Sequence, residues 1–366
     1  MADSKKVDVL IVGAGITGST LALELLAQGV TIHLIDNQEP NSSSRIAAGL
    51  INPIISKGIR KTWQYDQLFP AVFDYYKQWE KEFEERFISR YPYLVMHANS
   101  NENKQWERRA LSLELTELLE ISNFQCPQLV LDRHPYITKV NHCGRLDVQR
   151  FLLAAQHRFM ALKSFCAEEF IHNALRCNSE NHWCYKNIEA KKVVFCEGMG
   201  IGKNPWFNKL FFDPTVGDVL TVTIPGLDAA FMYKKKAWLI PTREPFQFLL
   251  GNNFLKVETN NEDLSIEAEA LILCAKEITG LPVTLLQHKR GIRPTIQNRR
   301  PYLGQHPNYN NLFVYNGLGS KGVSLCSWLS PMMANYLVEK SVLPVDLDIN
   351  GFNLRPQTEK TLPDFQ

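Results

Sequence analysis

The 366-residue sequence lacks the marks of several protein classes. No uninterrupted apolar run approaches the roughly 20 residues of a bilayer-spanning helix, so a membrane protein is not expected. Neither sign of charge is in excess. Forty Lys and Arg against 38 Asp and Glu leave a net +2, which argues against a chain built chiefly to neutralise nucleic-acid phosphates. The eight cysteines include no CxxC pair, and in a chain of this length they read as buried thiols. Residues 1–10 run straight into a strand-like stretch without the apolar core or cleavage site of a signal peptide, so the expected location is the cytoplasm. With 45% hydrophobic residues, the chain has enough apolar surface for two packed domains.

The first forty residues carry the strongest signal. Val7 to Val12 is a β-branched run suited to a strand buried on both faces. Gly13, Ala14, Gly15, Ile16, Thr17 and Gly18 follow at once, and Ser19 to Gln28 reads as a helix with Leu21, Ala22 and Leu25 on its buried side. Gly29 closes that helix, and Val30 to Ile35 forms a second strand ending at Asp36. Strand, glycine turn, helix, strand and acid, in that order, form the dinucleotide fingerprint. Gly13 permits the tight turn, Gly15 admits a pyrophosphate, and Gly18 lets the helix pack on the sheet. The helix N-terminus offers unpaired N–H groups to the anion. Asp36 suits an unphosphorylated adenosine ribose, so a phosphorylated nicotinamide cofactor is disfavoured. At this point either a flavin or a nicotinamide dinucleotide satisfies the turn.

Later segments narrow the choice. Asn41 to Pro53 is small and polar, with Ser42, Ser43, Ser44 and Arg45 leading to Ala47, Ala48, Gly49 and Leu50. Cys143 to Asp147 precedes a helical run to Phe159, with Asp147 as its N-cap. Cys166 to Phe170 and Lys192 to Gly200 read as strands, the latter reaching Glu197 and Gly198. Gly291-Ile-Arg293-Pro294, Arg300 to Gly304 and Asn311 to Gly322 precede a final helix over Val323 to Glu339. In this order the segments resemble the D-amino-acid oxidase and glycine oxidase family of flavoenzymes, over nearly the whole chain. The resemblance implies noncovalent FAD, held by Gly13, Ala14, Gly15, Ile16, Thr17, Gly18, Asp36, Asn37, Ser43, Ser44, Arg45, Ala48, Gly49, Leu50, Phe170, Glu197, Gly198, Gly317, Gly319, Ser320, Lys321, Gly322 and Val323. The last loop also has a reading of its own. A glycine-rich helix start beside Lys321 can stabilise the negative charge that a flavin gains on reduction.

The family also implies an α/β fold: a Rossmann-like FAD-binding domain, with a parallel sheet and helices, plus an α+β substrate domain with a mainly antiparallel sheet. The expected FAD-binding domain is discontinuous, over residues 1–62, 141–215 and 290–366, and the substrate domain covers 63–140 and 216–289. Aromatics from Phe69 to Phe87, three and four apart, read as one buried face of a long helix. Val219–Ile224, Phe231–Tyr233, Ala237–Pro241 and Phe246–Leu250 read as short antiparallel strands. In the family an Arg in a Gly-x-Arg-Pro segment holds the substrate carboxylate, and Arg293 matches it; an Arg in a structural ion pair is the alternative reading. Trp238 stands where the family often carries a Tyr, as pocket wall or packed side chain.

The implied activity is oxidation of a C–N bond in an amine or amino acid by hydride transfer to the flavin. Departures at Leu318, at Leu249 and Leu250, and ahead of Gly217 leave the electron acceptor open. Two alternatives stand beside this reading: a nicotinamide dehydrogenase, and flavin-dependent modification of a tRNA wobble uridine. No metal is assigned, because the spacing of His172, Cys177, His182 and Cys184 fits no common zinc pattern. Nucleic acid is disfavoured as a partner.

Overall fold

The computed structural model describes residues 5–69, 71–251, 255–256 and 264–351. It divides into two compact units, each discontinuous in sequence: residues 1–44, 152–214 and 293–366, and residues 45–151 and 215–292. Residues 45–62 and 141–151, expected with the nucleotide domain, fall in the second unit. Strand pairing accounts for this. Leu50–Ile51 pairs with Gly144–Leu146, which pairs in turn with Ile88–Arg90.

The first unit is built on an eight-stranded sheet. Its parallel centre runs Phe165–Ala167, Ile32–Asp36, Lys5–Val12 and Ile188–Phe195. The last of these forks. Its first residues pair antiparallel with Trp183–Tyr185, and Val193 to Phe195 pair parallel with Leu312–Asn316. The central strand is buried from Val9 to Val12, as its β-branched run requires. The first helix, Ile16–Ala27, begins three residues earlier than the sequence suggested, because the end of the glycine turn is itself the first helical turn. It runs beside the final helix, Gly322–Glu339, in the same direction: Ile16 lies against Gly322, Thr20 meets Ser330, and Gln28 meets Asn335. Elsewhere in the unit an aromatic core gathers Phe170, Trp183, Tyr185, Phe195, Phe207 and Phe212.

The second unit centres on a nine-stranded sheet in which most described pairings are antiparallel and Met232–Lys234 runs parallel to Tyr93–Met96. Helix Leu264–Thr279 covers one face, packing Ala268, Leu271, Ala275 and Ile278 on Leu220, Val222, Leu239, Phe248 and Leu250. Ile240, Met232 and Val95 belong to the core of the opposite face. The long aromatic helix is shorter than expected, Val72–Phe83, because Glu84 adopts a left-handed conformation that ends it. Phe87 follows the turn, where Phe87 and Ile88 both donate their backbone N–H to Glu80 Oε1, at 2.6 and 2.7 Å. Asp147 caps the helix Val148–Ala161, accepting from Arg150 N at 3.4 Å.

His33, in the strand Ile32–Asp36, is buried beside the Lys5 ammonium, which lies 3.1 Å from its Nδ1. Burial first and the Lys5 charge second pull its pKa down to about 4. A base depressed in the folded state is neutral there and protonates more readily in the unfolded chain. Stability is therefore expected to fall as pH drops from about 6.5 to about 4, by order of 3 kcal/mol in all. Urea titrations across that range should show a flatter profile for His33→Gln; identical slopes would remove His33 as the cause.

Candidate active site

The turn after the first strand is held by neighbours on three sides. Gly13 has φ +97°, and a Cβ there would lie 2.5 Å from the Cys196 carbonyl oxygen. Gly18 meets the turn so closely that a Cβ would lie 1.9 Å from the Gly13 oxygen. The backbone N–H of Ala14 donates to Asp36 Oδ2 at 2.7 Å, and that of Ile16 donates to Ser44 Oγ at 3.0 Å. Asp36 therefore braces the turn as well as closing the second strand. Its Oδ1 accepts from Gln38 N at 2.7 Å. Gly15 has no side chain to cap the helix, Ser44 takes one of its N-terminal N–H groups, and no acid lies in the first turn. Such a helix start receives an anion on its N–H groups.

A second helix start lies against the first. Strand Leu312–Asn316 enters a turn with positive φ at Gly317 and Gly319, and the helix opens at Gly322. A Cβ on Gly322 would lie 3.3 Å from Ile16 Cγ2, so the two helix N-termini share one end of the unit. This second helix also lacks a side-chain cap and an acid in its first turn. Thr20, Ser330 and Tyr315 form a hydrogen-bonded seam along the pair, at 2.8 and 3.1 Å. Burial pushes the Cys326 thiol in that seam up to about 11, so it is neutral at physiological pH.

Arg293 is brought to this place by its neighbours. Gly319 N donates to the Pro294 carbonyl at 3.2 Å, and Asp213 N to the Thr295 carbonyl at 2.7 Å. The Gly-x-Arg-Pro segment is thus laced to the second glycine turn. Asn316, which the sequence reading missed, ties that turn to Gly198: its Oδ1 accepts from Gly317 N at 2.8 Å, and its Nδ2 donates to the Gly198 carbonyl at 2.9 Å. Nothing local in the sequence marks Asn316, because its partner Gly198 is far away in the chain.

The other expected residues have varied surroundings. Ser43 opens a short helix with Ser44; Asn37 is exposed, its side chain accepting from Glu39 N. Ser320 is exposed, Lys321 half-buried and Val323 buried. The Phe170 ring belongs to the core, stacked 4.3 Å from Tyr185, and lies beyond the short strand Phe165–Ala167. Both Glu197 oxygens are engaged within the protein, one 2.7 Å from His172 Nε2 and the other accepting from Asn204 Nδ2 at 2.7 Å. Arg45, Ala48, Gly49, Leu50 and Trp238 belong to the second unit. There the Arg45 carbonyl accepts from Gln149, the Ala48 carbonyl from Arg145, and the Gly49 carbonyl from Leu146 N. Trp238 lies over Gly251, where a Cβ would meet its ring at 2.5 Å. Of the four His and Cys residues set aside as metal ligands, His172 pairs with Glu197 and His182 with Glu189.

A family model for FAD dependent oxidoreductase proteins matches residues 8–336. The uncharacterized oxidoreductase YurR of Bacillus subtilis is 23% identical, covering 94% of this chain and 97% of its own. The tRNA 5-methylaminomethyl-2-thiouridine biosynthesis bifunctional protein MnmC of Haemophilus ducreyi is 21% identical over 93% of this chain, which spans only 57% of that protein. Among solved structures, glycine oxidase from Geobacillus kaustophilus matches with a TM-score of 0.77 at 16% identity, covering 97% of this chain and 100% of that one.

Two glycines of the first helix separate packing from backbone strain. Gly29 closes the helix at φ +76° with nothing within 4 Å of a Cβ, so Gly29→Ala should cost about 1–2 kcal/mol of stability and leave FAD uptake unchanged. Gly18→Ala drives a Cβ into the Gly13 carbonyl and should weaken FAD binding by at least about tenfold, or about 1.4 kcal/mol. Titration of the apoprotein with FAD compares them; equal affinities would remove Gly18 from the site.

Proposed function

The chain belongs to the FAD dependent oxidoreductase family, and from that premise we propose that it oxidises the C–N bond of an amine or amino acid. The observation that carries this reading is the lacing of Pro294 to Gly319, which sets Arg293 beside the second of two adjoining helix N-termini. FAD supplies hydride acceptance at its N5 when bound, and the family match selects it over the nicotinamide cofactor that the first turn alone leaves open.

The residues present fit that cofactor, held noncovalently. Gly13 to Gly18 and the uncapped start of the first helix receive the pyrophosphate, and Asp36 accepts the ribose hydroxyls while bracing Ala14. Ser43 and Ser44 line the extended part of the cofactor, and Arg45, Ala48, Gly49 and Leu50 are assigned to it by the family resemblance alone. Asn37, Phe170, Glu197 and Gly198 border the adenosine side. Gly317 to Val323 present the second helix start, with Lys321, to the edge where reduction accumulates charge. Arg293 grips a substrate carboxylate through two parallel N–H bonds, and that grip orients the amine-bearing carbon. The amine donates as the neutral base, and no side chain is assigned to take its proton. Glycine oxidase, similar in fold, acts by its name on an amino acid of this class.

The Haemophilus ducreyi relative favours a second reading, in which the amine is carried on a tRNA uridine. That substrate is held chiefly through phosphates, so its binding weakens steeply with salt.

The holoprotein is mixed without oxygen with a panel of small amines and amino acids, and with tRNA carrying an aminomethyl-substituted uridine at two salt concentrations. Bleaching of the visible flavin band by an amino acid is the expected outcome. Arg293→Ala should keep its FAD and raise KM for a carboxylated substrate by roughly 10–100-fold, the equivalent of a lost charge-assisted bidentate pair. A panel in which nothing reduces the flavin, or an Arg293→Ala variant with unchanged KM, would sink the reading.

A further inference from the structure

We propose that Asp218 is a positioning residue for the substrate anchor: its bonds to His288 and Arg290 fix the pleat of strand Thr284–Arg293, and with it the side from which Arg293 is presented. The inference rests on the assignment of Arg293 above. Asp218 is fully buried in strand Thr215–Thr223 and accepts three bonds from the neighbouring strand, from His288 Nε2 at 2.7 Å, Arg290 Nε at 2.8 Å and Arg290 Nη2 at 3.2 Å. Glu267, on the covering helix, lies 3.4 Å from Arg290 Nη2. A carboxylate buried without such partners is strongly disfavoured, so the cluster tolerates one arrangement of the two strands.

Alternation along the strands gives the cluster a direction. Asp218 shares its side of the sheet with Leu220 and Val222, which pack on helix Leu264–Thr279. His288 and Arg290 point to that same helix side, because they meet Asp218. Successive strand residues face opposite ways, so Lys289, Gly291 and Arg293 are turned away from the helix. A slip of one residue in register would send Arg293 to the helix side.

Ordinary hydrophobic patterning does not guard against that slip here. Residues 284–287 are exposed, including Leu285 and Leu286, and Gly291 has no side chain. Among the described residues the strand pairs only with Thr215–Thr223. The charged cluster supplies the register information that an apolar face supplies elsewhere.

The test uses the holoprotein and two small probes of the same shape, acetate and acetamide, titrated while the visible flavin spectrum is followed. Asp218→Asn should weaken acetate binding at least about tenfold, while FAD content and acetamide binding stay unchanged. In turnover with an amino acid, KM should rise more than kcat falls. The double variant Asp218→Asn/Arg290→Gln removes both charges of that pair and retains a hydrogen-bonding pair, at the expense of Glu267's contact with Arg290, so it should recover part of the acetate affinity. A general structural defect would instead lower acetate binding, acetamide binding and FAD content together, and would overturn the proposal. So would a double variant no better than the single one. Arg293-dependent acetate binding that Asp218→Asn leaves unaltered overturns this inference alone. A wild-type protein that ignores acetate, with Arg293→Ala changing nothing, overturns the anchor assignment and this inference with it.

Discussion

The first unit depends on two helices that begin at one point and run the same way. Ile16 and Gly322 are in contact at that point, and Gly18 is pressed onto Gly13 beneath it. Parallel helix dipoles side by side repel, each start carrying about half a positive charge. Nothing in the first turn of either helix offsets this, because neither contains an acid. Packing and the Thr20–Ser330–Tyr315 seam hold the pair together along its length. At the shared end Asp36 supplies one negative charge to the turn, and a bound pyrophosphate such as that of FAD would add to it. The one carboxylate bonded to the turn, Asp36, has Oδ2 committed to Ala14 N and so serves the geometry of the turn as much as its charge.

Much of this unit was legible because its requirements are local. A strand, three glycines, a helix and an acid fall within the first forty residues, and each has a separate steric or electrostatic reason for its position. The final glycine turn and helix were legible for the same reason. The bonds that join these pieces were not, since they link residues far apart in the chain. Asn316 reaches Gly198, and Glu197 is consumed by His172 and Asn204. Residues 45–62 and 141–151 fall in the second compact unit, where a two-residue strand at Leu50 that leaves no periodic signal in the sequence pairs with Gly144–Leu146. The aromatic helix was read as too long because spacing persists through Phe87 while the backbone turns at Glu84.

The same limit explains how Asp218 escaped attention. Around Gly217 the sequence was weighed for a missing base, whereas the informative residue was the acid that follows, and its partners lie some 70 residues on. His288, Lys289 and Arg290 stand consecutively in the sequence, with no spacing that separates their roles. The fold divides them: His288 and Arg290 turn to one buried carboxylate, and Lys289 turns the other way.

Arg293 therefore lies between two clamps. Upstream, Arg290 is held by Asp218; downstream, Pro294 and Thr295 are held by Gly319 and Asp213. Only two residues, Gly291 and Ile292, separate Arg290 from Arg293, and an extended backbone rising about 3.3 Å per residue has little slack to absorb a shift. The two clamps differ in kind. The downstream one is made of backbone groups that do not titrate and any side chain would preserve, and it joins the segment around Arg293 to the second glycine turn. The upstream one is made of side-chain charges, which substitution can abolish without disturbing the glycine turns. On the proposed assignment of Arg293, tuning of carboxylate recognition would be separable from the hold on FAD, and a change in the Asp218 cluster would alter how substrate is gripped before it altered the flavin site.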